Sequence, residues 1–300
     1  MTKVLICDPT SAKAIEAMRA MGVEVTVRDT ITVDELAEVI ADYDAIVVRS
    51  RTKVRKPLID KAVPGLKAII RGGVGLDNID VAYARSKGIQ VFNTPRASSN
   101  AVAELVTGLM FALARHIPRA DASMKAGKWE KKKLKGTEVA GKTLGIIGYG
   151  RIGRTLASKA RALGMKVVAY DPYVEGEVIV PIDTLLAQAD YISLHIPHTP
   201  ETHHFIDAEK IAKMKAGAYL INAARGGVVD EAALLEALES GHLAGAAMDV
   251  YSEEPPKSET LRALIEMPNF VATPHIGAAT KEAQARIGDE IVAIVKEHLM

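Results

Sequence analysis

The chain has 300 residues, 48% of them hydrophobic and 25% charged, with a formal net charge of +1 at pH 7. That length predicts about two domains, and the near-neutral charge argues against a dominant role with nucleic acid or a membrane surface. No stretch approaches a membrane span, residues 1–8 do not read as a signal peptide, and the single cysteine, Cys7, reads as an inert core thiol. These features point to a cytoplasmic protein.

Aromatic residues make up only 4% of the chain, so its cores must be built from Val, Ile, Leu and Ala, a palette that suits buried parallel strands covered by helices. In chain order, residues 4–6, 23–27, 45–48, 67–70 and 90–92 predict strands. Residues 11–21, 33–41, 57–62 and 80–87 predict the helices between them. Such alternation implies a parallel sheet. A long helical segment, 100–125, follows, with an interruption expected near Pro118. The basic stretch 125–142, with Lys131, Lys132 and Lys133, reads as solvated surface. Trp129, alone among these charges, is a candidate interface or lid anchor. A second series of strands is predicted at 144–147, 166–170, 191–194, 218–221, 244–248 and 270–272, with helices at 151–163 and 230–240 among them. A last helix spans 280–299.

The most specific motif is Gly148-Tyr149-Gly150-Arg151-Ile152-Gly153, which joins the strand at 144–147 to the helix after it. In such a unit Gly148 makes the tight turn, Gly150 lets the backbone approach a pyrophosphate, and Gly153 lets the helix pack close to the sheet. The pyrophosphate then sits at the helix N-terminus, where unpaired N–H groups favour an anion. Asp171 ends the next strand, 18 residues after Gly153, and is placed to accept hydrogen bonds from an adenosine ribose. No Arg or Lys follows in Pro172-Tyr173-Val174-Glu175, so the unit favours NAD over NADP. About 140 residues precede the motif, enough for a complete first domain.

Hydride transfer to or from NAD requires a proton carrier and a substrate anchor. Histidine is matched to proton exchange near neutral pH. His195 and His198 follow one predicted strand and His275 follows the last, at the edge where doubly wound sheets bind ligands. His116, His242 and His298 read as surface residues, and His203 and His204 lie in a polar connection. Arg225 stands beside another strand end, suited to bidentate carboxylate binding. Asp249, Glu253 and Glu254 follow the next strand, where turn chemistry and solvation also account for acids. In the first series, Arg49-Ser50 ends the third strand. The run Arg71-Gly72-Gly73-Val74-Gly75 offers backbone N–H groups that suit an anion.

The blocks 127–130, 141–148 and 222–231, then Ala247-Met248-Asp249-Val250, Glu253-Glu254-Pro255 and Thr273-Pro274-His275-Ile276-Gly277-Ala278, resemble the D-isomer-specific 2-hydroxyacid dehydrogenase family over nearly all 300 residues. The resemblance implies an α/β fold of two doubly wound parallel-sheet domains. One is a flavodoxin-like substrate domain (1–98 plus 280–300); the other is a Rossmann NAD-binding domain (99–279), with the cofactor in the cleft between them. It implies a catalytic set of Arg225, Glu254 and His275. His275 would exchange the proton of the substrate's C2 oxygen, Glu254 would bond the far imidazole nitrogen and orient the ring, and Arg225 would hold the carboxylate or polarise the carbonyl. The acid immediately before Pro255 matches the pattern, which leaves Glu253 solvated. Arg151 and Ile152 would touch the pyrophosphate, Ile196 and Ala223 would line the cofactor cleft, and Asp249 would face the nicotinamide carboxamide, with Gly277 alongside.

Within the family, arginines at positions matching Arg49 and Arg71 imply a phosphorylated 2-hydroxy acid. Ser50, Gly72, Gly73, Val74 and the hinge residue Asn100 complete that substrate site. The implied reaction is oxidation of 3-phospho-D-glycerate to 3-phosphohydroxypyruvate, at the start of serine biosynthesis. Glyoxylate or hydroxypyruvate reduction, and a non-catalytic NAD-sensing role, are the alternatives. The resemblance further implies a homodimer with residues 100–142 at its interface, and no metal. With residues 280–299 as the last helix, no serine-sensing C-terminal domain is expected.

Overall fold

Short apolar runs buried on both faces build the strands. In the computed structural model, which describes residues 1–300, β3 (Ala45–Val48) is buried at all four positions, as a central parallel strand between helical layers must be. Its sheet also contains β1 (Lys3–Ile6), β2 (Glu24–Val27), β4 (Ala68–Arg71) and β5 (Gln90–Asn93). The strands are parallel in the order β2-β1-β3-β4-β5, the flavodoxin-like order. The connecting helices are α1 (Ala12–Ala20), α2 (Val33–Val39), α3 (Lys56–Ala62) and α4 (Val81–Ser86). Local chemistry starts two of them. Ser11 caps α1 by accepting from the Ala14 N–H, and Thr32 with Glu35 forms a reciprocal capping box on α2. Cys7 is fully buried, and burial pushes its thiol up to about 12.

The next segment is helical and interrupted near Pro118, as expected. α5 (Ser99–Ala114) ends, His116 takes a left-handed conformation at φ 53°, and α6 (Ile117–Lys125) starts anew with Pro118 in its first turn. The two helices are bent by 64°. Proline is tolerated in a first turn but not in a helix interior, so the break falls ahead of Pro118.

The second sheet contains β6 (Thr143–Ile147), β7 (Lys166–Tyr170), β8 (Tyr191–Leu194), β9 (Tyr219–Asn222), β10 (Gly245–Met248) and β11 (Phe270–Ala272), interleaved with α7 (Arg151–Ala162), α8 (Ile182–Gln188), α9 (Ala208–Lys213), α10 (Glu231–Glu239) and α11 (Glu259–Glu266). All strands are parallel, in the order β11-β10-β9-β8-β6-β7. An additional parallel bridge, Ala169 to Ile179, occupies the outer position where the usual 3-2-1-4-5-6 dinucleotide order has its third strand. The strand order reverses between β6 and β8, so the glycine turn after β6 sits at the topological switch point.

The last helix, α12 (Lys281–His298), buries Ala283, Ile287, Ile291 and Val295, a four-residue spacing that lines one face. A Cβ on Gly288 would stand 2.7 Å from Ser11 Oγ and 2.9 Å from Ala14 Cβ, so α12 and α1 pack closely at that glycine. The chain divides into two units, Met1–Ser98 with Ala278–Met300, and Ser99–Gly277. The second crossing falls two residues before the expected boundary. The Gly277 N–H is bonded to Asp249, whereas the Ala278 carbonyl accepts from Gln284 on α12. No single helix is long and apolar enough to cross a membrane.

Candidate active site

At the switch point each glycine of the turn has its own steric reason. Gly148 has φ +93°, and a Cβ there would meet the His195 carbonyl oxygen at 2.6 Å and Ile196 Cγ2 at 3.0 Å. A Cβ on Gly153 would stand 2.3 Å from the Gly148 carbonyl oxygen, so α7 packs onto the turn only because Gly153 lacks one. Around Gly150 nothing lies within 4 Å of a would-be Cβ. Gly150 is the N-cap of α7 and contributes no side-chain cap, so the first amides of a twelve-residue helix point into that space. Open room, unpaired N–H groups and the helix dipole fit a pyrophosphate. Asp171 accepts from the Tyr149 N–H at 2.8 Å and the Tyr173 N–H at 3.0 Å. The carboxylate expected to meet a ribose therefore also braces the turn, and retains a lone pair on each oxygen. Ala223 is buried at the end of β9, and Arg151 and Ile152 form the first turn of α7.

The loops after β9, β10 and β11 emerge at the same sheet edge. Asp249, 1% exposed, organises the last of them. One carboxylate oxygen accepts from Thr273 Oγ1 at 2.6 Å and the Ile276 N–H at 2.8 Å; the other accepts from the Gly277 N–H at 2.8 Å. The side chain expected to face a carboxamide is thus engaged in holding the loop that carries His275. His275 itself adopts φ +53°, an uncommon conformation for a residue with a side chain, of the kind that concentrates at functional sites. Its Nδ1 lies 2.8 Å from Glu254 Oε2. A carboxylate only accepts, so Nδ1 carries the proton and Nε2 is the ring nitrogen turned to other partners. Glu254 Oε1 accepts from the Tyr251 N–H at 3.2 Å. The Tyr251 hydroxyl sits 2.9 Å from the Met248 carbonyl and 3.1 Å from that of Thr273, tying the β10 and β11 ends together. Burial, reinforced by the Asp249 charge, pushes the phenol up to about 12. Glu253 is exposed and accepts only from the Lys257 N–H.

The β9 loop joins this assembly through Asn222, fully buried. Its side chain accepts from the Ala224 N–H at 3.1 Å and donates to the Arg225 carbonyl at 2.9 Å. Glu231, at the start of α10, accepts from the Ser252 N–H at 2.8 Å and its hydroxyl at 2.5 Å, so the Arg225 loop and the Glu254 loop are fastened to each other.

His195 is not a proton carrier for neutral pH. Burial drives its pKa down to about 4, Nε2 is 2.9 Å from Ser193 Oγ, and the buried Nδ1 has no partner. His198 bonds His203 at 3.1 Å and does not join His275 and Glu254.

In the first unit, Arg49 leaves the end of β3, and its guanidinium donates to Gln284 Oε1 on α12. Burial lowers its pKa while the nearby Asp8 charge opposes the shift. The Gly72 N–H is not available to an anion, because it donates to the Val48 carbonyl at 2.9 Å. The neighbouring amides of Gly73 and Val74 are the ones left to serve. Gly73 has φ +147°, and Arg71 folds back over it, with Nη1 1.3 Å from where a Cβ would stand. Ser50 is exposed, its carbonyl accepting from Lys53 Nζ at 3.0 Å. Asn100 lies on the first turn of α5 and donates to Glu104 at 2.8 Å. Sequence reasoning assigned no role to Asn222, Tyr251, Thr273 or Gln284. Only the strand-terminal position of Asn222 carried any signal.

A doubly wound sheet with an open glycine turn at its switch point, and an imidazole–carboxylate pair at the same edge, defines a dinucleotide-binding α/β enzyme. Residues 107–277 match the model of the D-isomer specific 2-hydroxyacid dehydrogenase NAD binding domain. A hydroxypyruvate reductase of Thermotoga maritima is 50% identical over 99% of this chain and 98% of its own length. A D-3-phosphoglycerate dehydrogenase of Methanocaldococcus jannaschii is 48% identical over the whole chain, which spans only 58% of that longer protein. The crystal structure of D-lactate dehydrogenase from Aquifex aeolicus, complexed with NAD and lactic acid, superposes with a TM-score of 0.85 at 32% identity, covering 99% of this chain and 95% of that one. The chain belongs to the D-isomer specific 2-hydroxyacid dehydrogenase family, and its cofactor is NAD.

Proposed function

We propose that the chain oxidises 3-phospho-D-glycerate to 3-phosphohydroxypyruvate, the first reaction of serine biosynthesis. The observation that carries this reading is Arg49, a half-buried cation with no carboxylate partner, on the same unit as Arg71 and the glycine loop. Cations and loop amides together suit a doubly charged phosphate. In the second unit, His275 Nε2 takes the C2 hydroxyl proton while Nδ1–H stays on Glu254, so the imidazolium that forms faces a carboxylate. Arg225 binds the substrate carboxylate. NAD, when bound, supplies the hydride acceptor. The amides of Arg151 and Ile152 hold its pyrophosphate, Asp171 its ribose, and Ile196, Ala223 and the Asp249–Gly277 corner flank the rest.

The 50% identity to a hydroxypyruvate reductase along its full length favours a second reading, reduction of hydroxypyruvate or glyoxylate. NADH oxidation measured in parallel with phosphohydroxypyruvate, hydroxypyruvate and glyoxylate separates the two. Preference for an unphosphorylated acid, undiminished in Arg49→Ala and Arg71→Ala, would overturn the phosphate assignment.

The chain is further proposed to act as a homodimer through residues 100–142. Ile117, Met124 and Trp129, 51%, 57% and 78% exposed, are large apolar side chains concentrated in that segment, as an interface requires. Light scattering on Trp129→Glu tests it: an unchanged dimer mass removes Trp129 from the interface.

A further inference from the structure

We propose that Gln284 sets the charge preference of the anion site on the first unit, holding the Arg49 guanidinium in position without cancelling its charge. This rests on the phosphate-binding reading of Arg49. The Gln284 amide has one possible orientation. Its Nε2 donates to the Ala278 carbonyl at 2.7 Å, and a carbonyl can only accept, so Oε1 is the atom that faces Arg49 and takes its N–H. The guanidinium is therefore fixed by a neutral acceptor. The one carboxylate whose charge acts on it, Asp8, is committed elsewhere. Asp8 is fully buried and accepts from Arg51 Nε at 2.8 Å, Thr52 Oγ1 at 3.0 Å and the backbone N–H of Arg49, not its guanidinium.

The same helix face sets where the cation stands. Gln284 and Ile287 are three residues apart on α12 and so share a side. A Cβ on Gly72 would meet Ile287 Cγ2 at 3.1 Å and Arg49 Cδ at 3.7 Å. Arg49 thus runs between α12 and the glycine loop, with the Gly73 and Val74 amides next in sequence. A cation removed from water without a counter-ion is costly, and an arriving anion offsets that cost. A glutamate at 284 would supply the counter-ion internally, pairing with Arg49 and repelling phosphate.

Gln284→Glu and Gln284→Met in the full chain, assayed for NADH oxidation with phosphohydroxypyruvate and hydroxypyruvate, test the assignment, with melting curves to establish that each variant is folded. The glutamate should lower the ratio of kcat/KM between phosphorylated and unphosphorylated acid by about tenfold or more, through KM for the phosphorylated one. Inorganic phosphate should become a correspondingly poorer competitive inhibitor. Methionine keeps the charge of Arg49 and loses only its orientation, so its ratio should fall by less, about threefold. A wild-type preference for the phosphorylated acid that both variants leave intact, or equal losses on both substrates, overturns this inference alone. Should only methionine fold, its ratio decides by the same criteria. A wild type without that preference overturns the substrate reading, and this inference with it.

Discussion

The carbonyl oxygen of Tyr251 lies 1.7 Å from where a Cβ on Gly226 would stand, and its carbonyl carbon lies 2.1 Å from the same point. The loop carrying Arg225 thus rests directly on the backbone of the loop carrying Glu254. Any side chain at 226 must push the two apart. Gly226→Ala should lower turnover by about a hundredfold or more, since small misplacements of a catalytic group cost that much. It should also lower the melting temperature. Gly150→Ala, with open space around it, should keep the wild-type melting temperature and weaken NAD binding instead. Calorimetric NAD titrations beside melting curves distinguish the two; normal turnover in Gly226→Ala would contradict the packing argument.

The His275–Glu254 pair makes a kinetic prediction. His275→Ala should reduce kcat by roughly 10²–10⁴, the usual share of general acid–base catalysis. Glu254→Gln keeps a hydrogen-bond acceptor for Nδ1–H but removes the charge that faces the imidazolium, so its loss should be smaller and should fall on kcat rather than KM. Pre-steady-state and steady-state rates in both directions provide the measurement.

Asp249 predicts a stability effect. Its oxygens accept three hydrogen bonds from Thr273, Ile276 and Gly277. An amide in its place would turn an NH₂ toward at least one of those donors. Asp249→Asn should therefore cost about 1–3 kcal/mol and speed hydrogen exchange at the Ile276 and Gly277 amides. Unaltered exchange at both amides would refute the assignment of Asp249 as the anchor of the His275 loop.

The burial of His195 predicts acid sensitivity. Its folded pKa is lowered to about 4 from an ordinary 6.5, so between those values the unfolded chain binds a proton that the folded chain does not. Stability from this residue is complete above pH 6.5 and declines as pH falls toward 4, by roughly 3 kcal/mol in all. Urea unfolding of wild type and His195→Asn across pH 4–7 should show a shallower slope for the variant. Equal slopes would mean that other groups govern the acid limb.

Much of the fold was legible because its determinants are local. The Ala-Ile-Val-Val run of β3 and the Leu-Gly-Ile-Ile run of β6 announce buried parallel strands, and Ser11 and Asp230 open predicted helices. The steric roles of Gly148 and Gly153 follow from spacing. The interruption near Pro118 was legible too, and because proline is tolerated in a first turn but not in a helix interior, it falls at His116, just ahead of the proline. The short helices α8, α9 and α11 carry too few turns for their period to stand out. In the first unit, the Gly72 amide was expected to serve an anion and instead completes a strand-edge bond to Val48. No pattern in the glycine run distinguishes a used amide from an open one.

By itself the sequence determined the order of the strands and the longer helices, the glycine turn with its terminal Asp171, and which residues had the chemistry to bind NAD and move a proton. Those depend on periodicity, φ preferences and side-chain type, which act over a few residues. Only the tertiary structure decided that Asp249 is occupied by the His275 loop, that His195 is held neutral, that Gly226 has no room for a side chain, and that Arg49 faces an amide rather than a carboxylate. Each of these depends on the desolvation and partners a group acquires from chain segments far away, 235 residues away for Arg49 and Gln284, and packing alone sets that distance.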